Sequence, residues 1–313
     1  MTPFLLRRLL SGVVLVFMVT TITFLLMYAS TADVARNLLG ENATADQLAA
    51  KEAQLGLDRP LYEQYLDWLG GSLTGDLGTS WFTSEPVATV LAARVPVTLS
   101  MVIGAMVVTA VASAVLGVAA AVRGGWFDRI IQVVGVVGFS LPSFWVALML
   151  VLGFAISLRL LPATGYVPFS ESPADWAATL VLPVTALVIG GVAASAQQVR
   201  GATIDVLRRD YVRTLRARGL SEASVVCRHA LRNAAPAALN ILSLQFIGLF
   251  GGAVVIERVF AIPGLGSLTV NSALLGDVPV LLGVVVVTVV MLVTVNVVVD
   301  GTTGWVNPKA RVQ

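Results

Sequence analysis

The chain has 313 residues, of which 57% are hydrophobic and 12% charged, with a mean hydropathy of +0.88 and a net charge of +2. Soluble globular domains carry about 25% charged residues, so the composition excludes an ordinary water-soluble protein, and so small a net charge offers nucleic acid no attraction. The one cysteine, Cys227, cannot form a disulfide within the chain and reads as a reduced small residue.

Six stretches are long and apolar enough to cross a bilayer, which needs about 20 apolar residues per helix. They are residues 9–29, 97–122, 130–157, 176–196, 236–256 and 278–299. Each is a continuous run, such as VLLGVVVVTVVMLVTVNVVV over 280–299, rather than the short polar/apolar alternation of a membrane β-barrel. The expected fold class is therefore all-α, an integral membrane protein with six transmembrane helices. The first stretch follows Arg7 and Arg8 and is too long for a cleaved signal, so it reads as a retained anchor.

With a cytoplasmic N-terminus, the inner segments would hold Arg7, Arg8, Arg123, Arg129, Arg200, Arg208, Arg209, Arg213, Arg216, Arg218, Arg228, Arg232, Lys309 and Arg311. These are fourteen of the 20 basic residues. The excess of Lys and Arg on one side predicts a multi-pass chain with both termini cytoplasmic.

Between the first two stretches lies a polar external segment. Thr44 and Gln47 have capping-box spacing ahead of a short helix that Gly56 would end. A second helix is expected from Asp58 and Pro60, with Leu61, Tyr65 and Leu69 on one face and Tyr62 and Leu66 beside them. Packing on the bundle and contact with an external partner are equally open for these helices. The stretch GGSLTGDLGTSW that follows lacks the strand, lysine and helix of a phosphate loop. LPATGYVPFSESPADW reads as an external loop, and ERVFAIPGLGSLTVNSALLGDVP as an external segment with a short re-entrant helix.

The longest inner segment, residues 200–236, carries most of the inner basic residues. Ala202 to Arg218 reads as one helix stopped by Gly219, and Ser221, with Glu222 behind it, caps a second short helix to about Leu231 that bears Val225, Val226 and His229. Arginines alone could serve topology and anionic lipid, but an ordered turn in mid-loop favours docking into a partner's groove.

At this loop the chain resembles the EAA-type motif of permease subunits of ATP-binding-cassette importers, specifically the B-type subunit of the dipeptide/oligopeptide/nickel family. The residues that carry the resemblance are DYVRTLRARGL over Asp210–Leu220 and RHALRNA over Arg228–Ala234. LGLDRPLYEQYLDWLGGSLTGDLGTS, LPATGY and ERVFAIPGLG extend it along the chain. Leu215 stands where that family usually has alanine, and STADVARNLLG lacks its Pro-Gly-Asp.

The resemblance implies a type I importer transmembrane domain. Residues 1–95 would form an anchor with an external segment, 96–303 the transmembrane domain with a coupling loop at 199–235, and 304–313 a cytoplasmic tail. A second homologous permease chain, two ATPase subunits and an external substrate-binding protein would complete the transporter in the plasma (inner) membrane of a prokaryote, surrounded by lipid. ATP and Mg would sit on the ATPases, with no cofactor on this chain. ATPase coupling would fall to Asp210, Tyr211, Arg216, Ala217, Arg218, Gly219, Leu220, Ser221, Glu222, Val226 and His229. In it Gly219 makes the turn, Leu220 and Val226 anchor, and Arg216 and Arg218 pair with ATPase acids. Peptide is the family's expected substrate, with nickel complexes, glutathione or haem as alternatives for the same architecture.

No catalytic or metal constellation is legible, since His229 is the only histidine and lies in the basic loop. Polar residues within apolar stretches face cavities or neighbouring helices. Ser140 and Ser143 around Pro142, Gln197, Gln198, Asn240, Gln245 and Asn296 could line a pathway or join helices by hydrogen bonds. An ion-gradient-driven secondary transporter is the first rival, and it would be expected to place ionisable groups at mid-membrane.

Overall fold

The computed structural model describes residues 2–28 and 34–306. Residues 307–313 of the expected tail, with Lys309 and Arg311, and the side chain of Asn240 lie outside the described residues. The described chain is helical nearly throughout, with one isolated antiparallel bridge between Thr79 and Pro86.

The helices are α1 (Thr2–Tyr28), α2 (Val34–Leu39), α3 (Ala45–Leu55), α4 (Leu61–Thr74), α5 (Val87–Arg123), α6 (Gly125–Ser140), α7 (Ser143–Leu150), α8 (Pro173–Leu207), α9 (Asp210–Ala217), α10 (Glu222–Ser224), α11 (Leu231–Val259), α12 (Leu265–Leu275) and α13 (Val278–Val306). Two π-helical turns, Val151–Ser157 and Val225–Ala230, continue α7 and lead into α11.

Four helical segments are long and apolar enough to cross a membrane: Leu10–Met27, Val87–Arg123, Pro173–Leu207 and Val278–Val299, with mean hydropathies of 2.4, 2.3, 2.1 and 2.9. Between 17% and 44% of these segments is buried inside the chain. The remaining apolar surface needs hydrocarbon around it, because water would meet patches far larger than soluble proteins leave exposed.

A fifth crossing counts only if α6 and the α7 rod are taken together. The expected continuous helix over 130–157 is broken at Leu141–Pro142 by a 96° bend. The proline ring fixes φ and pushes the preceding Leu141 to extended geometry (ψ 124), so the helix cannot run through. The fifth expected stretch, 236–256, lies within α11, several of whose side chains are outside the described residues.

The fold divides into two compact units. One comprises residues 6–28, 34–98 and 263–293. Its polar portion begins as expected: Thr44 accepts from the Gln47 N–H while Gln47 Oε1 accepts from the Thr44 N–H, and Gly56 ends α3 at φ 71. α4 packs through Tyr65 and Trp68, which stack against Phe24 at 5.1 and 5.7 Å, and the Tyr65 hydroxyl meets that of Thr21 at 2.7 Å. The face drawn from the sequence holds only in part, since Leu61, Tyr62 and Leu66 are exposed. Tyr65 of that face does make the contact and Leu69 is half-buried, and Trp68, one turn beyond Tyr65, joins them. Within the same unit buried Asp277 accepts from the Ser80 hydroxyl at 2.5 Å and the Trp81 N–H at 3.2 Å. The Thr98 hydroxyl accepts the N–H of Leu265 in the first turn of α12, at 2.8 Å.

The other unit comprises, of the described residues, 2–5, 99–262 and 294–306. α8 is its centre, packed by α6, α7 and α11. A Cβ added to Gly117 of α5 would lie 2.7 Å from the Ala196 carbonyl oxygen and 3.0 Å from the Arg200 nitrogen, so only glycine permits that approach to α8. Leu180, Leu182, Leu187, Phe246, Leu249 and Ala253 form much of the buried core.

Candidate functional site

The segment from Asp210 to Ala230 is a folded hook. α8 ends at Leu207 rather than running to Arg218, and α9 starts afresh at Asp210. α9 ends in a Schellman arrangement: the Gly219 N–H bonds to the Arg216 carbonyl at 2.9 Å and the Leu220 N–H to the Leu215 carbonyl at 3.3 Å. Gly219 sits at φ +80, and nothing lies within 4 Å of where its Cβ would stand. Leu215 and Leu220, both half-buried, occupy the two positions whose apolar side chains this motif commonly brings together. The unexpected leucine at 215 thus suits the turn.

Past the turn, the Ser221 hydroxyl accepts from the Ser224 N–H at 3.4 Å and caps α10. The short helix expected from Ser221 does not stop near Leu231, because the π-helical turn Val225–Ala230 carries it directly into α11. The hook is therefore continuous with a 29-residue helix.

Arg216 reaches back across the turn to Glu222, its Nε donating to Oε1 at 2.7 Å and its Nη2 to Oε2 at 3.1 Å. That bond raises the Arg216 guanidinium above its ordinary pKa. Both side chains are substantially exposed, so the pair contributes no more than about 1 kcal/mol; its main effect is geometric. Arg216, expected to seek a partner's acids, is already matched within the chain. Arg218 is exposed beside it, as are Ala217, Ser221 and Glu222.

The hook has its own small core. Val212 and Val225 are fully buried, and Val206, Ala230 and Ala234 form a cluster with Leu207 and Tyr211 packed on it. Asn233 ties α9 to α11 by donating to the Tyr211 hydroxyl at 3.0 Å and to the His229 carbonyl at 2.9 Å. Val226, expected to anchor a partner, is only 6% exposed. Its small remaining surface faces a groove along α5, away from the exposed residues of the turn. His229 is half-buried, and Asp210 is exposed within 3.7 Å of Arg213.

Of the residues offered as pathway-lining, the structure brings two together. Ser143 and Gln245 line a cavity of about 230 Å³ with Gly190, Gly191, Gly248 and Gly252. Gln245 Nε2 lies 2.7 Å from where a Gly191 Cβ would be, so the small residue there makes room for the amide. Ser140 instead donates to the Val136 carbonyl on its own helix, at 2.8 Å. Gln197, Gln198 and Asn296 are not among the residues lining this cavity.

Sequence reasoning missed Arg200 and Asp128. Arg200 donates through Nε and Nη2 to the two carboxylate oxygens of Asp128, which also accepts from Gln132 at 3.0 Å. The basic character of the loop hid the fact that one of its arginines is committed to an acid 72 residues away.

Residues 113–312 match the family described as binding-protein-dependent transport system inner membrane component, and residues 1–102 match its membrane-component N-terminal family. The chain belongs to this permease family. It is thus an integral inner-membrane permease of an ATP-binding-cassette importer, of the peptide/nickel class.

Among its relatives, a Brucella abortus (strain 2308) permease protein named for a peptide transport system is 37% identical over 99% of both chains. A glutathione transport system permease protein of Escherichia coli (strain K12) is 35% identical over 99% of both. Among solved structures, the chain of the inward-facing MetNI methionine ABC transporter matches with a TM-score of 0.58 and 20% identity, over 72% of this permease and all of that chain. That likeness establishes the type I importer fold.

Proposed function

We propose that this permease imports short peptides, and that the hook Asp210–Ala230 is the coupling element through which separate ATPase subunits drive it. The observation that carries the reading is the rigid turn at Gly219, braced by Arg216 and Glu222 and continuous with α11. ATPase closure would move the turn, and α9 and α11, locked to it by Tyr211–Asn233, would follow. Arg218, Ala217 and Ser221 are exposed and offer the docking face. The ATPases would hold ATP and Mg, a second permease chain would complete the pathway, and an external binding protein would deliver the solute. Both termini would face the cytoplasm.

Peptide is favoured because relatives covering the whole chain are named for peptide and for glutathione, itself a short peptide. A cavity of small residues with one serine and one amide also suits a weakly selective path, leaving substrate choice to the binding protein.

The test is reconstitution of the full complex in proteoliposomes with a cysteine replacing exposed Ala217. Uptake of a labelled di- or tripeptide that requires ATP, together with a cross-link from position 217 to an ATPase subunit, is expected. Uptake driven by an ion gradient without ATP, or a position 217 that reaches only lipid, would overturn the reading.

A further inference from the structure

Two hollows meet at the Arg123 end of α5. One is an apolar groove of about 770 Å³ between Val115, Ala119 and Val122 of α5 and Val226 and Leu231 at the entry to α11. Its volume is in the range of small-molecule sites. The other, about 280 Å³, is more polar and is lined by Leu207, Arg208, Arg216 and Glu222. Val122 and Glu222 line both, so the two are adjacent and share a wall.

Their charges are unequal. Arg216 is matched by Glu222. Arg123, at the edge of the groove, lies over the Phe127 ring at 5.1 Å, and neither it nor Arg208 has a carboxylate partner among the described residues. The composite hollow therefore presents three guanidinium groups against one carboxylate. The α5 surface approaching the groove is apolar and open, with Val107, Val111 and Val115 each more than half exposed. Hydrocarbon thus runs unbroken from the span into the groove, and the groove ends at unmatched cations.

We propose that this hollow binds one anionic glycerophospholipid, with an acyl chain along Val115, Ala119 and Leu231 and its phosphate between Arg123 and Arg208. A guanidinium binds phosphate through paired N–H donors, and a chain lying in the groove removes its apolar wall from water. A neutral detergent or zwitterionic lipid leaves the net cationic edge unneutralised and is therefore held in the groove more weakly. The site rests on the family's placement of the chain in a bilayer and not on what the hook docks against.

The single cysteine supplies the probe, since Cys227 is exposed and lines the groove. Maleimide labelling of Cys227, read by mass on its own peptide, is compared for the assembled transporter in nanodiscs of phosphatidylcholine alone and with added phosphatidylglycerol. Bound lipid should slow labelling by the factor 1 + [L]/Kd, about tenfold when the site is about nine-tenths filled. The double variant Arg123→Gln/Arg208→Gln should label at the same rate in both lipids, and faster than the wild type in the phosphatidylglycerol nanodiscs. Removing cations disfavours a thiolate in general, so faster labelling of the variant reads loss of the lipid. Native mass spectrometry should find one phosphatidylglycerol retained by the wild type and none by the variant. Equal labelling in the two lipids, unchanged protection of the variant, or protection that follows the ATPase subunits and ignores the lipid would each overturn the site.

Discussion

Arg200 closes on Asp128 with both arms of its guanidinium, so the C-terminal end of α8 is held to the first turn of α6. The side chains are 26% and 13% exposed, which shields the pair without drying it fully. Because α8 ends at Leu207, immediately before the hook, this ion pair joins the last turns of α8 ahead of the hook to α6.

Asp128→Asn should therefore destabilise the permease by about 1–3 kcal/mol, since it leaves a part-buried guanidinium without its charge partner. Thermal unfolding in detergent should show a melting temperature lowered by a few degrees. The exchanged pair, Asp128→Arg with Arg200→Asp, should recover part of the loss, and a swap no better than either single change would argue against direct pairing.

Gly117 and Gly191 should respond differently to alanine, although a Cβ at either meets an atom at 2.7 Å. At Gly117 the obstacle is the backbone of α8, which cannot retreat, and overpacking should cost about 1–3 kcal/mol. At Gly191 it is the far end of Gln245, which can swing into the adjoining cavity. Expression and melting temperature should fall for Gly117→Ala and stay near wild type for Gly191→Ala.

Ser80→Ala should loosen the segment that Asp277 holds, because a buried carboxylate loses one of its two donors. A loss of about 1–3 kcal/mol is expected locally. Hydrogen exchange should quicken over residues 78–87, where the Val87 N–H to Gly78 carbonyl bond of 2.9 Å closes the loop. Unchanged protection there would show that the Thr79–Pro86 bridge suffices alone.

Thr44→Ala should remove one half of the capping box on α3 and cost about 1 kcal/mol. Proteolysis within 40–56 is the measure, with uptake unaffected.

What could be read from the sequence was local. Thr44, Gln47 and Gly56 delimit α3, and Gly219 with Ser221 make the hook's turn, because each of these signals acts within four residues. The breaks were harder. Pro142 sat inside an apolar run that satisfied the length of a span, so its effect was absorbed into a single helix, and the break at Arg208–Arg209 has no glycine or proline to announce it. The fusion of the hook's second helix to α11 depends on a π turn, which leaves no compositional mark. The pairs Arg200–Asp128 and Ser80–Asp277, separated by 72 and 197 residues, are invisible to any window along the chain.

The emptiness around Gly219 has a chemical consequence. With no atom beyond its chain neighbours within 4 Å of the absent Cβ, the position disfavours L-residues by torsion and not by bulk. A mirror-image alanine favours positive φ for the same reason that the natural one avoids it. Installed at 219 by semisynthesis, D-alanine should preserve the hook where L-alanine strains it, making handedness rather than size the property this bend selects.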